Sequence, residues 1–542
     1  MHVLFVLYHP GYLRFYDSVI ALLAERGHRV SLAWSKAGKK SEGLEALALG
    51  SGRVEDLGQV PTRTDLAEPV AFGLRAVADY VRYLDPTFAQ AEFLRRRYRR
   101  RLPRLASPLK RLPPLRAGIV ERIQRALILL ERAGPRSPAM DAWLSSLDPD
   151  LVVVSPLVAD YYRRRQQADV VGSARALGIP SALGVASWDH LTTKGRAKVV
   201  PDRVLVWNER QREEAERLHG IPPSDVVVTG AQLFDRWFDR RPSTLRAEFC
   251  AKVGLEGDRP FVLFVGSTRT ISDPDAEQRF VRSWIGALRA STDPAVRDLA
   301  VLVRPHPHNS DLWAEADLSD LGDVSVWPRG QGNIVDEDHR AGFFDSLHYS
   351  AVVVGINTSA MIEAAIVGRP VLTVRAPEFA STQGGTVHFH YLLPEEGGFV
   401  RVADSLEEHA EQLGGVLHRP EAVENELRRF VEQFVRPLGL DTPGTPRVVD
   451  ALEALASAGR RAPSPQPLAL APLRAAMRVG GVLAVATEER RRRRALRRVR
   501  KRVRAWTRRA PLVGRRRGRG PGPVDNASGT ETVGRRPERV AS

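Results

Sequence analysis

The sequence predicts an α/β protein built from two doubly wound parallel-sheet domains that follow one another along the chain. Three observations lead to this prediction. A chain of 542 residues is longer than one hydrophobic core organises. Short apolar runs of strand length alternate with helical patterns, as in parallel sheets covered by helices on both faces. The alternation restarts after a charged segment at 236–258 that is interrupted by Gly and Pro.

The first domain is predicted to cover residues 1–240. Its opening segment predicts a strand at 2–7, a His-Pro-Gly turn, a helix over about 12–25 and a strand at 29–34. Further buried strands are predicted within 148–156, 179–189, 202–208 and 225–235. A basic helical insertion is expected over about 85–135, because arginines are dense between residues 95 and 111.

The second domain is predicted to cover residues 258–440. Strand patterns open it at 259–270 and continue through 298–309 and 324–328. A helical extension is expected at 441–487. The Arg-rich tail at 488–542 is expected to be disordered, because Pro, Gly and Arg dominate it.

The net charge of +17 is concentrated in that tail. Residues 488–542 contain 20 Lys and Arg against 5 Asp and Glu, so the remaining chain is nearly neutral. The single Cys250 excludes an intramolecular disulfide framework and a cysteine zinc cluster, which favours a reducing compartment. No secretory signal is visible, and the longest semi-apolar stretch, 468–486, is interrupted by two arginines. A cytoplasmic protein is expected, peripheral at the inner face of the membrane.

The segment 349–374 predicts a strand, a polar turn, a helix over 360–367 and a second strand. Asn357, Thr358 and Ser359 stand at the predicted helix N-terminus, where unpaired backbone N–H groups suit a phosphate. An ordinary capped βαβ unit without a ligand is the alternative. The pattern N-T-S-x-x-x-E-A-x-x-x-G-x-P-V resembles the donor-site signature of glycosyltransferases with the GT-B fold and of UDP-N-acetylglucosamine 2-epimerases.

That resemblance implies a GT-B architecture with an interdomain cleft. It also implies that the helix N-terminus holds a sugar-nucleotide diphosphate and that Glu363 contacts the ribose or the sugar. Many retaining members carry a second glutamate eight positions earlier, where this chain has Gly355. The retaining subclass with paired glutamates is therefore disfavoured, while the stereochemical outcome stays open.

Two further loops of the second domain are candidates for the same site. Gly266, Ser267 and Arg269 follow its first strand, where small residues and a guanidinium suit a phosphate. Arg304 and His306 belong to an R-P-H-P-H sequence at the end of a strand of the same sheet, which resembles capsule and surface-polysaccharide transferases. Plain turns are the alternative for both loops. No metal site and no cofactor are expected, because no carboxylate or cysteine has ligand spacing beside the histidines.

The acceptor side is expected at the first domain. The loop 187–195 collects Trp188, His190 and Lys194 as acceptor-binding candidates and Asp189 as a candidate general base. His9, in the turn after the first strand, is the rival base, and several inverting GT-B enzymes place their base there. A loop whose polar groups satisfy one another is the alternative for 187–195.

These features predict a metal-independent glycosyltransferase. It would move a sugar from a nucleotide diphosphate to a glycan or lipid-linked acceptor in surface polysaccharide biosynthesis. A sugar-nucleotide 2-epimerase and a glycerophosphotransferase are alternatives on the same scaffold. Residues 468–519 are expected to contact an anionic membrane surface. Nucleic-acid binding through the tail is less favoured, since the folded part offers no broad basic face beyond residues 95–111.

Overall fold

The computed structural model describes residues 1–37, 52–157, 166–257, 259–330, 337–464, 466–487 and 490, and contains two parallel sheets. The first sheet has the strand order β3-β2-β1-β4-β5-β6-β7. Its strands are β1 (His2–Leu7), β2 (Arg29–Trp34), β3 (Val54–Gln59), β4 (Leu151–Ser155), β5 (Ser181–Gly184), β6 (Arg203–Val206) and β7 (Val226–Val228).

The second sheet has the order β10-β9-β8-β11-β12-β13. Its strands are β8 (Phe261–Val265), β9 (Ala300–Arg304), β10 (Val324–Val326), β11 (Val352–Gly355), β12 (Val371–Val374) and β13 (Arg401–Ala403). In both sheets the strand order reverses beside the first strand, which is the doubly wound pattern. The prediction of two doubly wound α/β domains is confirmed.

The helices that cover the sheets are numbered here in chain order. They are α1 (Asp17–Glu25), α2 (Glu68–Arg82), α3 (Glu92–Arg101), α4 (Ala117–Ala133), α5 (Pro138–Leu147), α6 (Gln167–Ala176), α7 (His190–Thr193), α8 (Glu209–His219), α9 (Asp235–Asp239), α10 (Arg246–Val253), α11 (Pro274–Arg289), α12 (Pro294–Arg297), α13 (Ser310–Trp313), α14 (Glu337–Tyr349), α15 (Ala360–Ile366), α16 (Val387–His390), α17 (Leu406–His418), α18 (Glu424–Phe430), α19 (Gly444–Ser457) and α20 (Leu468–Thr487).

The central strands are buried on both faces, which explains why their sequences are continuous apolar runs. The edge strands β3 and β13 escaped the sequence prediction. Strand β3 reads VEDLGQ and β13 has three residues, and both occupy sheet edges. An edge strand tolerates charged residues because it has one strand neighbour and one open side.

The first helix begins later than predicted. Residues Pro10–Phe15 form a 3₁₀ helix, and α1 starts only at Asp17. The cause is local, because the His9 ring nitrogen Nδ1 accepts a hydrogen bond from the Gly11 N–H at 3.0 Å. This side-chain cap, with Pro10 at the first helical position, holds the tight turn beside the carboxyl end of β1.

The helical extension does not stand apart from the first domain. Helix α19 packs against α1, and its residues Val449 and Leu452 join the core around β1. Arg26, the residue that follows α1, forms ion pairs of 2.8 and 2.7 Å with Asp450 and Glu453. The chain therefore crosses back to the first domain after finishing the second, and residues 1–484 form one compact unit.

Candidate functional site

A cavity of about 210 Å³ lies between the two sheets. Loops at the carboxyl ends of β1, β8, β9 and β11 contribute to it, and the gap between β8 and β11 is the point where the strand order of the second sheet reverses. Ligands of open α/β sheets bind at such switch points. The lining residues are Arg14, Phe15, Leu233, Arg236, Trp237, Arg240, Val265, Gly266, Arg304, Pro305, His306, Pro307, His339, Arg340, Phe343, Thr358, Ser359, Ala360 and Glu363.

Gly266 allows two of these loops to meet. A Cβ atom at this position would lie 2.8 Å from the backbone nitrogen of His306, which is closer than real Cβ contacts allow. The Gly266 N–H donates to the Arg304 carbonyl at 2.9 Å, so the first turn after β8 is attached to the end of β9. A side chain here would force apart the two loops that line the floor of the cavity.

Arg304 lines the cavity but also binds the protein itself. Its guanidinium donates to the Gly342 carbonyl at 3.2 Å and to Ser346 Oγ at 3.0 Å, both on α14. The group lies 4.6 Å from the Trp327 ring and 5.3 Å from the Phe343 ring. Burial lowers the pKa of Arg304 to about 9. Arg304, which is predicted to bind a phosphate, thus also connects β9 to α14 through hydrogen bonds.

Four further arginines surround the cavity, and the sequence prediction did not assign them to the site. They are Arg14, Arg236, Arg240 and Arg340. Arg14 lies in the last turn of the 3₁₀ helix after β1. Arg236 lies in α9, Arg240 directly follows it, and Arg340 belongs to α14. Asp17 pairs with Arg236 at 2.8 Å and with Arg340 at 3.6 Å, which joins the first domain to α14. The sequence signal for two of them is R-W-F-D-R-R at 236–241, within the segment predicted as the domain boundary.

Glu363 supplies the one carboxyl group among the described residues that line the cavity. Burial raises its pKa to about 7, and the nearby positive charge of Arg14 opposes that shift. Thr358 and Ser359 lie one turn earlier, at the start of α15, and also line the cavity. Ser359 makes no capping hydrogen bond with its side chain, whereas Thr358 Oγ1 accepts the Ala360 N–H at 3.4 Å.

Three other residues of the predicted donor set lie outside the cavity lining. Ser267 is fully buried, and its backbone N–H donates to Glu277 at 2.8 Å. Arg269 is exposed, and its Nε donates to the Asn309 side chain at 3.0 Å. The Asn357 amide turns away from the start of α15 and donates to the Thr382 carbonyl at 2.6 Å.

In the loop 187–195, side chains of the loop bind the Asp189 carboxylate, while Arg82 and Tyr83 bind backbone carbonyls of the loop from outside it. The Asp189 carboxylate accepts hydrogen bonds from Ser187 Oγ at 2.6 Å and Thr193 Oγ1 at 2.7 Å, and Lys194 Nζ lies 3.3 Å away. Burial pushes the pKa of Asp189 upward. The positive charge of Lys194, the nearby imidazoles and the Ser187 hydrogen bond outweigh burial and hold that pKa well below its ordinary value.

The two histidines predicted on the acceptor side differ in surroundings. His9 is half-buried, and its Nδ1 already accepts the Gly11 N–H, so the neutral ring carries its proton on Nε2. Burial lowers its pKa to about 4, assisted by the positive charge of Arg14. His190 is buried, stacks with the Tyr12 ring at 6.2 Å, and has a pKa that burial lowers to about 3. Both rings are therefore neutral near pH 7.

Trp188 is buried and contacts the second domain. Its ring meets the edge of His388 at a centroid distance of 4.6 Å. The same imidazole lies 3.4 Å from Thr192 Oγ1 and 3.5 Å from the Asn357 amide. His388 thus joins the loop of the first domain to the motif after β11, and no sequence pattern around it had suggested a role.

Among the described residues, no group of three or more His, Cys, Asp or Glu side chains is arranged to hold a metal ion. The His306 ring nitrogen Nδ1 accepts the His308 N–H at 3.1 Å. Burial and neighbouring positive charges lower the pKa of His306 to about 3. The R-P-H-P-H sequence therefore forms a capped turn that brings one neutral imidazole to the cavity.

Two doubly wound parallel domains with a cavity between their carboxyl edges constitute the GT-B architecture. The protein has a GT-B fold. No protein-family model matches the chain, and no curated protein sequence matches it.

Solved GT-B and related structures resemble it. A UDP-GlcNAc 2-epimerase from Neisseria meningitidis bound to UDP-GlcNAc is 13% identical, covers 84% of this chain and 100% of its own, and gives a TM-score of 0.46. WaaG, a glycosyltransferase involved in lipopolysaccharide biosynthesis, is 14% identical over 83% of this chain and 99% of its own, with a TM-score of 0.41. A glycosyltransferase from Rickettsia africae is 10% identical over 84% and 98%, with a TM-score of 0.46. At such identities and TM-scores, these similarities do not define the reaction that this chain catalyses.

Proposed function

We propose that the protein is a glycosyltransferase that moves a sugar from a nucleotide-diphosphate donor to a glycan or lipid-linked acceptor. The observation that carries the proposal is the set of arginines around the interdomain cavity. Arg14, Arg236, Arg240, Arg304 and Arg340 face it together with a single described carboxyl group, that of Glu363. An excess of cations at a sheet switch point suits an anionic ligand.

The arrangement supports departure of a diphosphate without a bound metal. Negative charge builds up on the leaving diphosphate as the glycosidic bond breaks, and fixed cations stabilise that charge in the transition state. A hydrogen bond to a charged group contributes about 1.5–3 kcal/mol. Arg14 is the best placed, since Arg304 uses part of its guanidinium to hold α14. The other three arginines pair with carboxylates, Arg236 and Arg340 with Asp17 and Arg240 with Glu337.

The cavity wall also has an apolar part. Trp237 and Phe343 line it, and their rings meet edge to face at 5.7 Å. A nucleobase or the apolar face of a sugar would pack against such rings. Because UDP-GlcNAc is the ligand named for the Neisseria epimerase structure, a UDP-sugar is the first donor to test.

Proton removal from the acceptor needs a group that titrates near neutral pH. Asp189 stays ionised but already binds three donors, and His9 presents an N–H at Nε2. Both therefore fit positioning roles better than the role of base predicted for them. We propose that Glu363, with a pKa of about 7, is the titrating group of the donor side, where it contacts a sugar or ribose hydroxyl.

The test is donor turnover by the full-length protein. The protein is incubated with UDP-GlcNAc and other sugar nucleotides, and release of the nucleoside diphosphate is measured. Arg14→Ala should reduce turnover at low donor concentration by about 10- to 100-fold, because one charged contact is lost. The matched control is Arg282→Ala, an exposed arginine whose partner is Asp320. Equal turnover by both variants would contradict the proposal.

The same incubation in D₂O separates transfer from 2-epimerisation. Epimerisation at C2 would replace the C2 proton of UDP-GlcNAc by deuterium without any acceptor. Glycosyl transfer or hydrolysis would release UDP and leave the C2 proton in place. Deuterium at C2, with no UDP released, would favour the epimerase alternative.

A further inference from the structure

Helix α20 (Leu468–Thr487) is unusually apolar for its exposure. It has 20 residues and a mean hydropathy of 1.5, yet only 11% of its most apolar window is buried. By length and composition it is the one helix of the described chain that could cross a membrane. Arg474 and Arg478 interrupt its sequence. Which side chains face the first domain and which face solvent therefore decides how the helix can contact lipid.

One face of α20 packs against the first domain. Met477 and Gly481 are buried, as is Arg474, and these positions lie on one side of a helix. A Cβ atom on Gly481 would overlap the Leu66 carbonyl at 1.5 Å, so the helix backbone touches the segment before α2. A Cβ on Gly134 would lie 2.8 Å from Met477 Cε. The helix therefore lies along the domain surface.

The opposite face of α20 exposes large apolar side chains. Val479 is 60% exposed, Val482 46% and Leu483 62%. Leu66, against which Gly481 packs, is itself 56% exposed. On monomeric soluble proteins, exposed apolar residues are usually scattered singly. Here three of them lie together on one face of α20, and Leu66 lies beside that helix. Transfer of this apolar area from water into lipid acyl chains is favourable.

The neighbouring insertion adds both apolar and basic groups. Leu129 and Leu130 are exposed in the last turns of α4, just before the Gly134 that Met477 contacts. Between residues 92 and 133 the chain has 13 Lys and Arg against 3 Asp and Glu. Basic residues are attracted to an anionic lipid surface. An apolar face flanked by such charge complements anionic lipid headgroups above acyl chains.

We propose that the outer face of α20, together with Leu66 and the end of α4, docks the protein on an anionic membrane. This lipid-docking face comprises Leu66, Leu129, Leu130, Val479, Val482 and Leu483. The helix lies in the plane of the interface, because its other face is occupied by the first domain. The proposal uses described residues alone, whereas the Arg-rich run predicted to tether the protein lies outside them, apart from Arg490.

The experiment uses the full-length protein and two kinds of vesicle, phosphatidylcholine alone and phosphatidylcholine with 30 mol% phosphatidylglycerol. The triple variant Val479→Glu, Val482→Glu, Leu483→Glu should cosediment with the anionic vesicles at least tenfold less than the unchanged protein. The control is Leu245→Glu, Leu312→Glu, Leu438→Glu, three exposed apolar residues elsewhere on the surface. The control should bind as the unchanged protein does.

The result is interpretable only if both variants keep the thermal midpoint of the unchanged protein. Equal loss of cosedimentation in both triple variants would overturn the proposal, since the effect would then follow from added negative charge alone. Undiminished binding of the Val479, Val482 and Leu483 variant would also overturn it and assign the tether to the tail. Retention in the membrane after extraction at pH 11 would overturn the in-plane geometry in favour of a spanning helix. Preference for duplex DNA over anionic vesicles at physiological salt would contradict the choice of lipid.

Discussion

The two sides of the cleft use similar residues in opposite ways. On the second domain, Gly266, His306 and Thr358 follow β8, β9 and β11, and all three line an open cavity. On the first domain, the loop 187–195 is equally rich in polar groups. Its Asp189 carboxylate binds Ser187, Thr193 and Lys194 of the same loop. The edge of the second domain presents its polar groups to a cavity. In the loop of the first domain, the Asp189 carboxylate is already bound by side chains of the same loop.

The difference shows what decides whether a polar loop becomes a ligand site. Both loops follow buried strands, and both contain hydroxyl and charged side chains. In 187–195, residues two to five positions apart reach one another, so the carboxylate is satisfied locally. At the cavity, the arginines come from four separate segments, and their carboxylate partners are distant in sequence: Asp17 pairs with Arg236 and Arg340, and Glu337 pairs with Arg240. Five guanidinium groups therefore converge where the chain brings distant segments together.

The largest effect on stability is expected at Arg304, which both lines the cavity and holds α14 by hydrogen bonds. Arg304→Ala removes hydrogen bonds to α14 and the stacking between Trp327 and Phe343, and should lower the free energy of unfolding by about 3–5 kcal/mol. Chemical denaturation measures this change. Arg282→Ala, an exposed ion-pair arginine, should change the same quantity by less than about 1 kcal/mol. A loss at Arg304 as small as that at Arg282 would mean that its buried contacts stabilise nothing.

How much the sequence predicts can be judged from this residue and its neighbours. Strand ends, and therefore the loops that reach the cleft, follow from local apolar runs and turn residues. Gly266, Arg304, His306 and Thr358 all line the cavity, as expected for residues at strand ends, and their role as donor ligands stays a prediction. The direction in which a side chain points was not predictable, because it depends on partners that are distant in sequence. Asn357, for example, turns toward Thr382, 25 residues away.

The arginines of α9 and α14 escaped prediction for a related reason. A charge in a polar segment usually faces solvent, and only the packing of the linker against α14 turns Arg236 and Arg340 toward one cavity. The returning helix α19 was likewise unpredictable, since its amphipathic pattern does not state which domain it will cover.

The next effect concerns ligand binding without loss of fold. Arg14→Ala should weaken binding of UDP-GlcNAc by about 10- to 100-fold, because one charge-assisted contact is removed. Isothermal titration calorimetry measures the dissociation constant. Its thermal midpoint should stay close to that of the unchanged protein. If neither Arg14→Ala nor Arg282→Ala changes the affinity for UDP-GlcNAc, the cavity is not the donor site.

A smaller effect is expected from pH. Burial raises the pKa of Glu363 to about 7, so its carboxyl is neutral below that pH and negative above it. A negative carboxylate repels a diphosphate, and affinity should fall by up to about tenfold per pH unit above 7. The diphosphate of a UDP-sugar does not titrate in this range. Glu363→Gln should flatten the dependence between pH 6 and 8, and a slope that persists in this variant would assign the titration to another group.

The smallest effect is expected on the first-domain edge. Asp189→Asn keeps the size of the side chain but removes the charge that pairs with Lys194, and should lower the free energy of unfolding by about 1 kcal/mol. Affinity for UDP-GlcNAc should change less than twofold, because this loop does not line the cavity. A tenfold loss of donor affinity would show that the contrast between the two edges is wrong.

The most direct test of the central claim is a thermal-shift titration of the unchanged protein and Arg14→Ala with nucleoside diphosphates and sugar nucleotides. A ligand at 100 times its dissociation constant stabilises the native state by about 2.7 kcal/mol, which raises the midpoint of unfolding. We expect at least one sugar nucleotide to raise the midpoint of the unchanged protein, and a much smaller rise for Arg14→Ala at the same concentration. No rise with any of these ligands, or an equal rise in both proteins, would contradict a donor site in the arginine-lined cavity.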